Sequence, residues 1–173
     1  MPDMSSRIPH PIDRRALVHS ARTAIAAILS LIVARGLGLP EAYWATITTL
    51  IIMQSTLGAA WEVSEQRLAG TAMGAAVGAL LATYIGSNVI AYGVGVLAIG
   101  LICAGLRIEQ AYRFGSVTLA IVMLIAGTKP AWIVAAHRFV EVAVGIAVGL
   151  ALTALWPEAE PVAGPAPSAS PSK

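Results

Sequence analysis

The sequence predicts an all-α polytopic membrane bundle of six transmembrane helices, and three observations carry that expectation. Charged residues make up 12% of the chain against 57% hydrophobic residues, with a mean hydropathy of +0.78. A typical soluble domain carries roughly 25% charged residues, so a water-facing surface cannot be assembled here. From Leu68 to Leu106 there are 39 consecutive residues without a charge, long enough for two crossings at roughly 20 residues each. Finally, the ten prolines all fall outside the apolar runs, as expected where each would remove a backbone donor from the helix interior. A soluble enzyme, a disordered chain and a nucleic-acid reader are excluded by the same composition, since a net charge of +2 provides no basic face. The single cysteine, Cys103, rules out an internal disulfide framework.

Taken in order, the predicted spans are Ala16–Ala34, Ala42–Ala60, Leu68–Ile85, Val89–Leu106, Tyr112–Gly127 and Ala131–Trp156. The first is interrupted by His19 and Arg22, and the fifth is short, with Arg113 snorkelling from its start. Gly86-Ser87-Asn88 supplies the turn between the third and fourth. Pro40 and Pro130 precede the second and sixth, where proline is tolerated. Tyr43, Trp44, Trp61, Tyr84, Tyr112, Trp132 and Trp156 lie near span ends, as an aromatic belt requires. Residues 1–15 read as a cytoplasmic N-terminal segment, 16–156 as the membrane domain and 157–173, with five prolines among Ala, Ser and Gly, as a disordered cytoplasmic tail. Arg14-Arg15 faintly resembles a twin-arginine signal, but five further spans favour an uncleaved first helix. With both termini inside, eight Lys and Arg fall toward the cytoplasm and three toward the other side. An inner-membrane location follows as an expectation.

A shift of 71 positions superimposes Arg67 on Arg138, Gly74 on Gly145 and Gly78 on Gly149, with seven identities over the fifteen positions 67–81. This predicts two three-helix repeats. Three is odd, so the second unit would enter the membrane inverted, an arrangement found in many secondary transporters.

Small residues recur every fourth position at Gly70, Gly74 and Gly78 in the third helix and at Gly145 and Gly149 in the sixth, which predicts close helix packing. Among ionisable residues, Arg22, Arg67, Arg138 and Glu141 fall within or at the edge of apolar spans. A charge at bilayer depth costs at least about 2.5–3.5 kcal/mol, so each must meet a partner or an aqueous cavity. Two readings stand open: arginines snorkelling from helix ends with Glu141 neutralising Arg138, or positive potential along an anion path with Glu141 as a protonatable group. Gln54 is the polar residue of the second helix least able to satisfy itself on its own backbone, and is a candidate for the cavity wall. No metal site, cofactor motif or catalytic signature is expected from the sequence.

Tyr43-Trp44-Ala45-Thr46, followed by Glu65-Gln66-Arg67-Leu68-Ala69-Gly70-Thr71-Ala72-Met73-Gly74, resembles the fusaric-acid-resistance-like and aromatic acid exporter superfamily. His137-Arg138-Phe139-Val140-Glu141 with Gly145 and Gly149 is similar to the matching element of its closing helix. The resemblance covers about 16–157 and implies a six-helix inner-membrane bundle that exports small aromatic acids, proton-coupled or passive. It also admits an organic-anion channel, as in related plant proteins, while the small-residue faces admit a non-transporting scaffold subunit. Larger relatives carry more helices or a soluble domain, so for this short form a homodimer is expected. The implied partners are the lipid bilayer and a small organic anion, and the chain is not expected to be an enzyme.

Overall fold

The computed structural model describes residues 14–53, 56–125, 127 and 129–156. Among the described residues it is all-helical, with six α-helices: α1 (Arg14–Gly36), α2 (Tyr43–Ile52), α3 (Leu57–Tyr84), α4 (Val89–Leu106), α5 (Ala111–Ala120) and α6 (Ala131–Leu155). A π-helical turn, Ile121–Ile125, continues α5. Three of them, α1 from Ala16, α4 and α6, are long and apolar enough to cross a membrane, whereas α2 and the α5–π segment are shorter apolar helices.

Local chemistry explains several boundaries. Asn88 caps α4 by accepting the Ala91 N–H on its side-chain oxygen at 2.8 Å. The same helix ends where Arg107 adopts a left-handed conformation, φ 59°. At the start of α6 stands Pro130, which needs no donor of its own.

The principal departure from the expected spans lies between the second and third. The helix expected over Ala42–Ala60 stops at Ile52, and the one expected from Leu68 starts at Leu57. Arg67 therefore stands in the body of α3 instead of opening it. The physical reason is periodicity: Ala60, Ser64, Arg67 and Thr71 are all buried at helical spacing, while Trp61, Glu62 and Glu65 are exposed on the other side. A charged stretch that looks like a loop is thus one amphipathic turn after another. Similarly, the fifth span begins one residue earlier than expected and ends in π geometry by Ile125, before Gly127.

α3 and α6 form the central antiparallel pair. Ala60 clusters with Val142 and Ile146, whereas Ala75, further along α3, clusters with Val134 and Ala135, earlier on α6. Flanking this pair, α5 packs on α3 and α2 on α6, with α4 outside α5 and α1 outside α2. The outermost helices expose large apolar side chains such as Ile28, Ile32, Leu97 and Leu101. That inversion of soluble-protein logic is what a lipid solvent selects.

Backbone-to-backbone approach requires glycine at two places above all. A Cβ on Gly74 would collide with the Gly115 carbonyl and Thr118, and one on Gly145 would collide with the Ala45 carbonyl and Thr48. Gly70 and Gly78 also press on the α5–π segment, and Gly149 presses on Ile52 of α2. The short helices are thereby seated directly against the long central ones.

Candidate functional site

Among the described residues a buried ionic cluster forms where the α1–α2 turn meets α6. Arg138 lies under the surface with its Nη2 donating to the Glu41 carboxylate, and its Nη1 stands 3.3 Å from Glu141 Oε2 as an ion pair. The second contact lacks hydrogen-bond alignment, for both Nη1 and Oε2 are buried without a hydrogen-bond partner. The other Glu141 oxygen, Oε1, accepts the backbone N–H of Glu41 at 3.1 Å. Glu41 also accepts from the Tyr43 hydroxyl at 2.9 Å and the Trp44 indole N–H at 3.2 Å. The Arg138 guanidinium carbon sits 4.5 Å from the Trp44 ring centroid, within cation–π range.

Glu41 was not singled out in the sequence. It reads there as an ordinary charge between two spans, although its spacing to Trp44 and Thr48 places all three on one side of the α2 start. The turn carrying it lies outside the helical spans, with the side chain 30% exposed. Burial opposes its charge, but the hydrogen bonds from Tyr43 and Trp44 and the charges of Arg138 and Lys129 outweigh that effect. Its carboxyl is held below the usual carboxylate range.

Arg67 occupies a second, related setting. Its Nε donates to Thr48 Oγ1 at 3.1 Å, and its guanidinium carbon lies 5.0 Å from the Phe114 ring centroid. The Thr48 hydroxyl in turn donates to the Trp44 carbonyl at 2.9 Å. Arg138 and Arg67 therefore meet the same side of α2 at residues 44 and 48, four residues or about 6 Å apart along its axis. Arg67 and Arg138 are 71 positions apart and the rings beneath them, Trp44 and Phe114, are 70 apart.

The remaining candidates lie elsewhere. Arg22 is buried within the first half of α1, where Nη1 donates to the Trp156 carbonyl at 2.5 Å. The structure thus brings Arg138 and Glu141 into contact, links Arg67 to them through α2, and leaves Arg22 apart. Gln54 lies outside the described residues. Among the described residues no three His, Cys, Asp or Glu side chains gather as a metal would need.

An all-helical bundle with apolar outer faces and ionised groups buried at its middle defines an integral membrane protein. The chain belongs to the fusaric acid resistance protein-like family, whose model matches residues 25–152. That membership points to a membrane protein associated with transport. No curated protein and no solved structure matches the chain significantly.

Proposed function

We propose that this protein is an inner-membrane transporter that exports small organic acids, aromatic carboxylates in particular, with Glu141 carrying a proton during the cycle. The carrying observation is that two buried guanidinium groups, Arg67 and Arg138, bear on one side of α2 a single turn apart. Buried cations so spaced make a local positive potential that attracts an anion strongly where the dielectric constant is low.

Two inverted three-helix repeats account for the packing. Gly145 seats on Ala45 and Thr48 while Gly74 seats on Gly115 and Thr118, and Gly149 seats on Ile52 while Gly78 seats on Val122. Each α2 position in these contacts has its α5 counterpart 70 residues on. The turns at residues 37–42 and 107–110 support alternating access. Glu41 bonds to Glu141, ten residues into α6 and so about 15 Å from its start at 1.5 Å per residue. The Ala111 carbonyl likewise lies against Gly70, deep along α3. Non-helical backbone at such depth is tolerated where it lines a wet cavity, and α3 and α6 run in opposite directions, so the two turns open from opposite ends. All six helices lie within the bilayer in this reading, with α2 and the α5–π segment starting from turns set at depth and running outward from there. The Arg22 bond to the Trp156 carbonyl ties the first half of α1 to the end of α6, in keeping with both termini on one side, the cytoplasm. A second copy supplies the further wall that six helices lack.

Vesicles loaded with radiolabelled benzoate test the proposal. Wild type is expected to release it faster under a proton gradient, Glu141→Gln to lose the gradient dependence, and Arg138→Ala to lose most of the flux. Equal flux from all three at equal membrane levels would refute the mechanism. Unitary currents without saturable exchange would reassign the protein as a channel.

A further inference from the structure

We infer that Arg67, and not Arg138, is the group that grips the carboxylate of the transported acid, one monoanion per chain. The inference rests on the transport reading and assigns its substrate contact. Its basis is a difference between two settings that are otherwise alike. Both arginines are buried, both stack on an aromatic ring, and both reach the same side of α2. Their counter-charges are not alike. Arg138 has Glu41 and Glu141, whereas the corresponding positions beside Arg67, 70 residues after Glu41 and 71 before Glu141, are Ala111 and Gly70. Among the described residues Arg67 is in no ion pair, and its hydrogen bond is the neutral one to Thr48.

The rest of the geometry decides what such a cation accepts. Thr48 occupies Nε and the Phe114 ring covers one face of the guanidinium, so Nη1 and Nη2 remain for a ligand. Arg67 keeps 8% exposure against 2% for Arg138, and among the described residues Arg138 has buried nitrogen atoms without partners whereas Arg67 has none. Two parallel N–H groups fit the two oxygens of a carboxylate, a geometry that a spherical halide cannot use. One uncompensated positive charge is neutralised by one negative charge, which favours a monocarboxylate over a dicarboxylate at this depth. Arg138, already within reach of two carboxylates, has its charge largely offset and adds to the field without gripping the anion itself. Its work is to hold the α1–α2 turn against α6.

Equilibrium dialysis of the purified full-length chain in detergent, with radiolabelled benzoate as probe, tests this. Arg67→Gln is expected to raise the benzoate Kd at least about tenfold, the scale of one lost bidentate ion pair. Ala111→Glu, which places a carboxylate where Arg138 has one, should weaken benzoate similarly with Arg67 still present. Arg107→Gln, removing an exposed cation, should leave the Kd within about twofold. Arg67→Lys keeps the charge but loses the fork, and should weaken benzoate at least about threefold; it decides the question if the Gln variant does not fold. Benzoate affinity unchanged in folded Arg67→Gln or Arg67→Lys overturns the inference, as does a wild type that binds no benzoate. Flux separates the two readings. Wild-type transport with binding indifferent to Arg67 sinks this assignment alone, whereas Arg67-dependent binding without transport sinks the transport reading alone.

Discussion

Replacing Gly145 with alanine tests the packing that seats α2 against the central pair. An added Cβ would stand 2.6 Å from Thr48 Cβ and 3.0 Å from its Cγ2, and would also collide with the Ala45 backbone carbonyl. Because a backbone atom cannot swing aside, α2 itself must shift. Overpacking of this kind costs about 1–3 kcal/mol, and alanine's helix preference returns about 0.5–1 kcal/mol, leaving a net loss of about 0–2.5 kcal/mol. The structure supplies its own calibration. At Gly149 the same Cβ would meet Ile52 Cγ2 at 3.1 Å and Cβ at 3.2 Å, contacts that a shift of a few tenths of an ångström relieves, so Gly149→Ala should fall near zero. At Gly93 nothing lies within 4 Å, so Gly93→Ala should be neutral or stabilising by up to about 1 kcal/mol. Unfolding in mixed detergent–SDS micelles, followed by circular dichroism, measures the series. Equal stability of Gly145→Ala and Gly93→Ala would refute the close approach of α2 and α6.

Three more outcomes follow from the ionic cluster. Arg138→Ala leaves Glu141 and Glu41 facing each other without their cation, and should cost about 3 kcal/mol in the same unfolding assay; adding Glu141→Gln should recover part of it. Glu41 has a carboxyl pKa depressed by folding, so its contribution is present above the unfolded carboxylate range near 4.5 and is lost as pH falls through the folded value. Melting temperatures should therefore drop on acidification below about pH 4.5, and Glu41→Gln should flatten that dependence; parallel curves would contradict the assignment. Thr48→Val removes the acceptor of the Arg67 Nε–H while keeping side-chain shape, and should cost about 1–3 kcal/mol for a hydrogen bond to a charged group, visible as a lower unfolding midpoint.

Composition alone made the all-helical membrane character legible, because too few polar residues exist to coat a soluble surface. The bounds of α4 matched because Gly86-Ser87-Asn88 and the charge at Arg107 punctuate a run that is apolar on every side. The α2–α3 boundary did not, since Met53-Gln54-Ser55-Thr56 contains neither glycine nor proline, and hydropathy runs through it to Ala60. A 3.6-residue reading of Ala60, Ser64, Arg67 and Thr71 would have carried α3 back through its charged turn. The π turn after Ala120 has no sequence mark at all, because Ile121–Ile125 is an ordinary apolar run and tertiary packing sets its winding. Glu41 escaped notice for a related reason. Its importance depends on Glu141, a hundred residues away, coming back to its backbone N–H. The matching of α2 with α5 under the proposed repeat was equally hidden, since it needs an offset of 70 while the α3–α6 identities have an offset of 71.

Side-specific thiol labelling tests the central claim that water reaches the arginine level from the ends of the bundle. With Cys103 replaced by serine, Phe114→Cys, half-buried beside Arg67, should react in sealed vesicles with a charged, membrane-impermeant methanethiosulfonate reagent added from one face, and benzoate should slow that reaction. A thiol at residue 114 that resists the charged reagent from both faces, yet reacts with a membrane-permeant one, would mean a dry interior and would contradict the account.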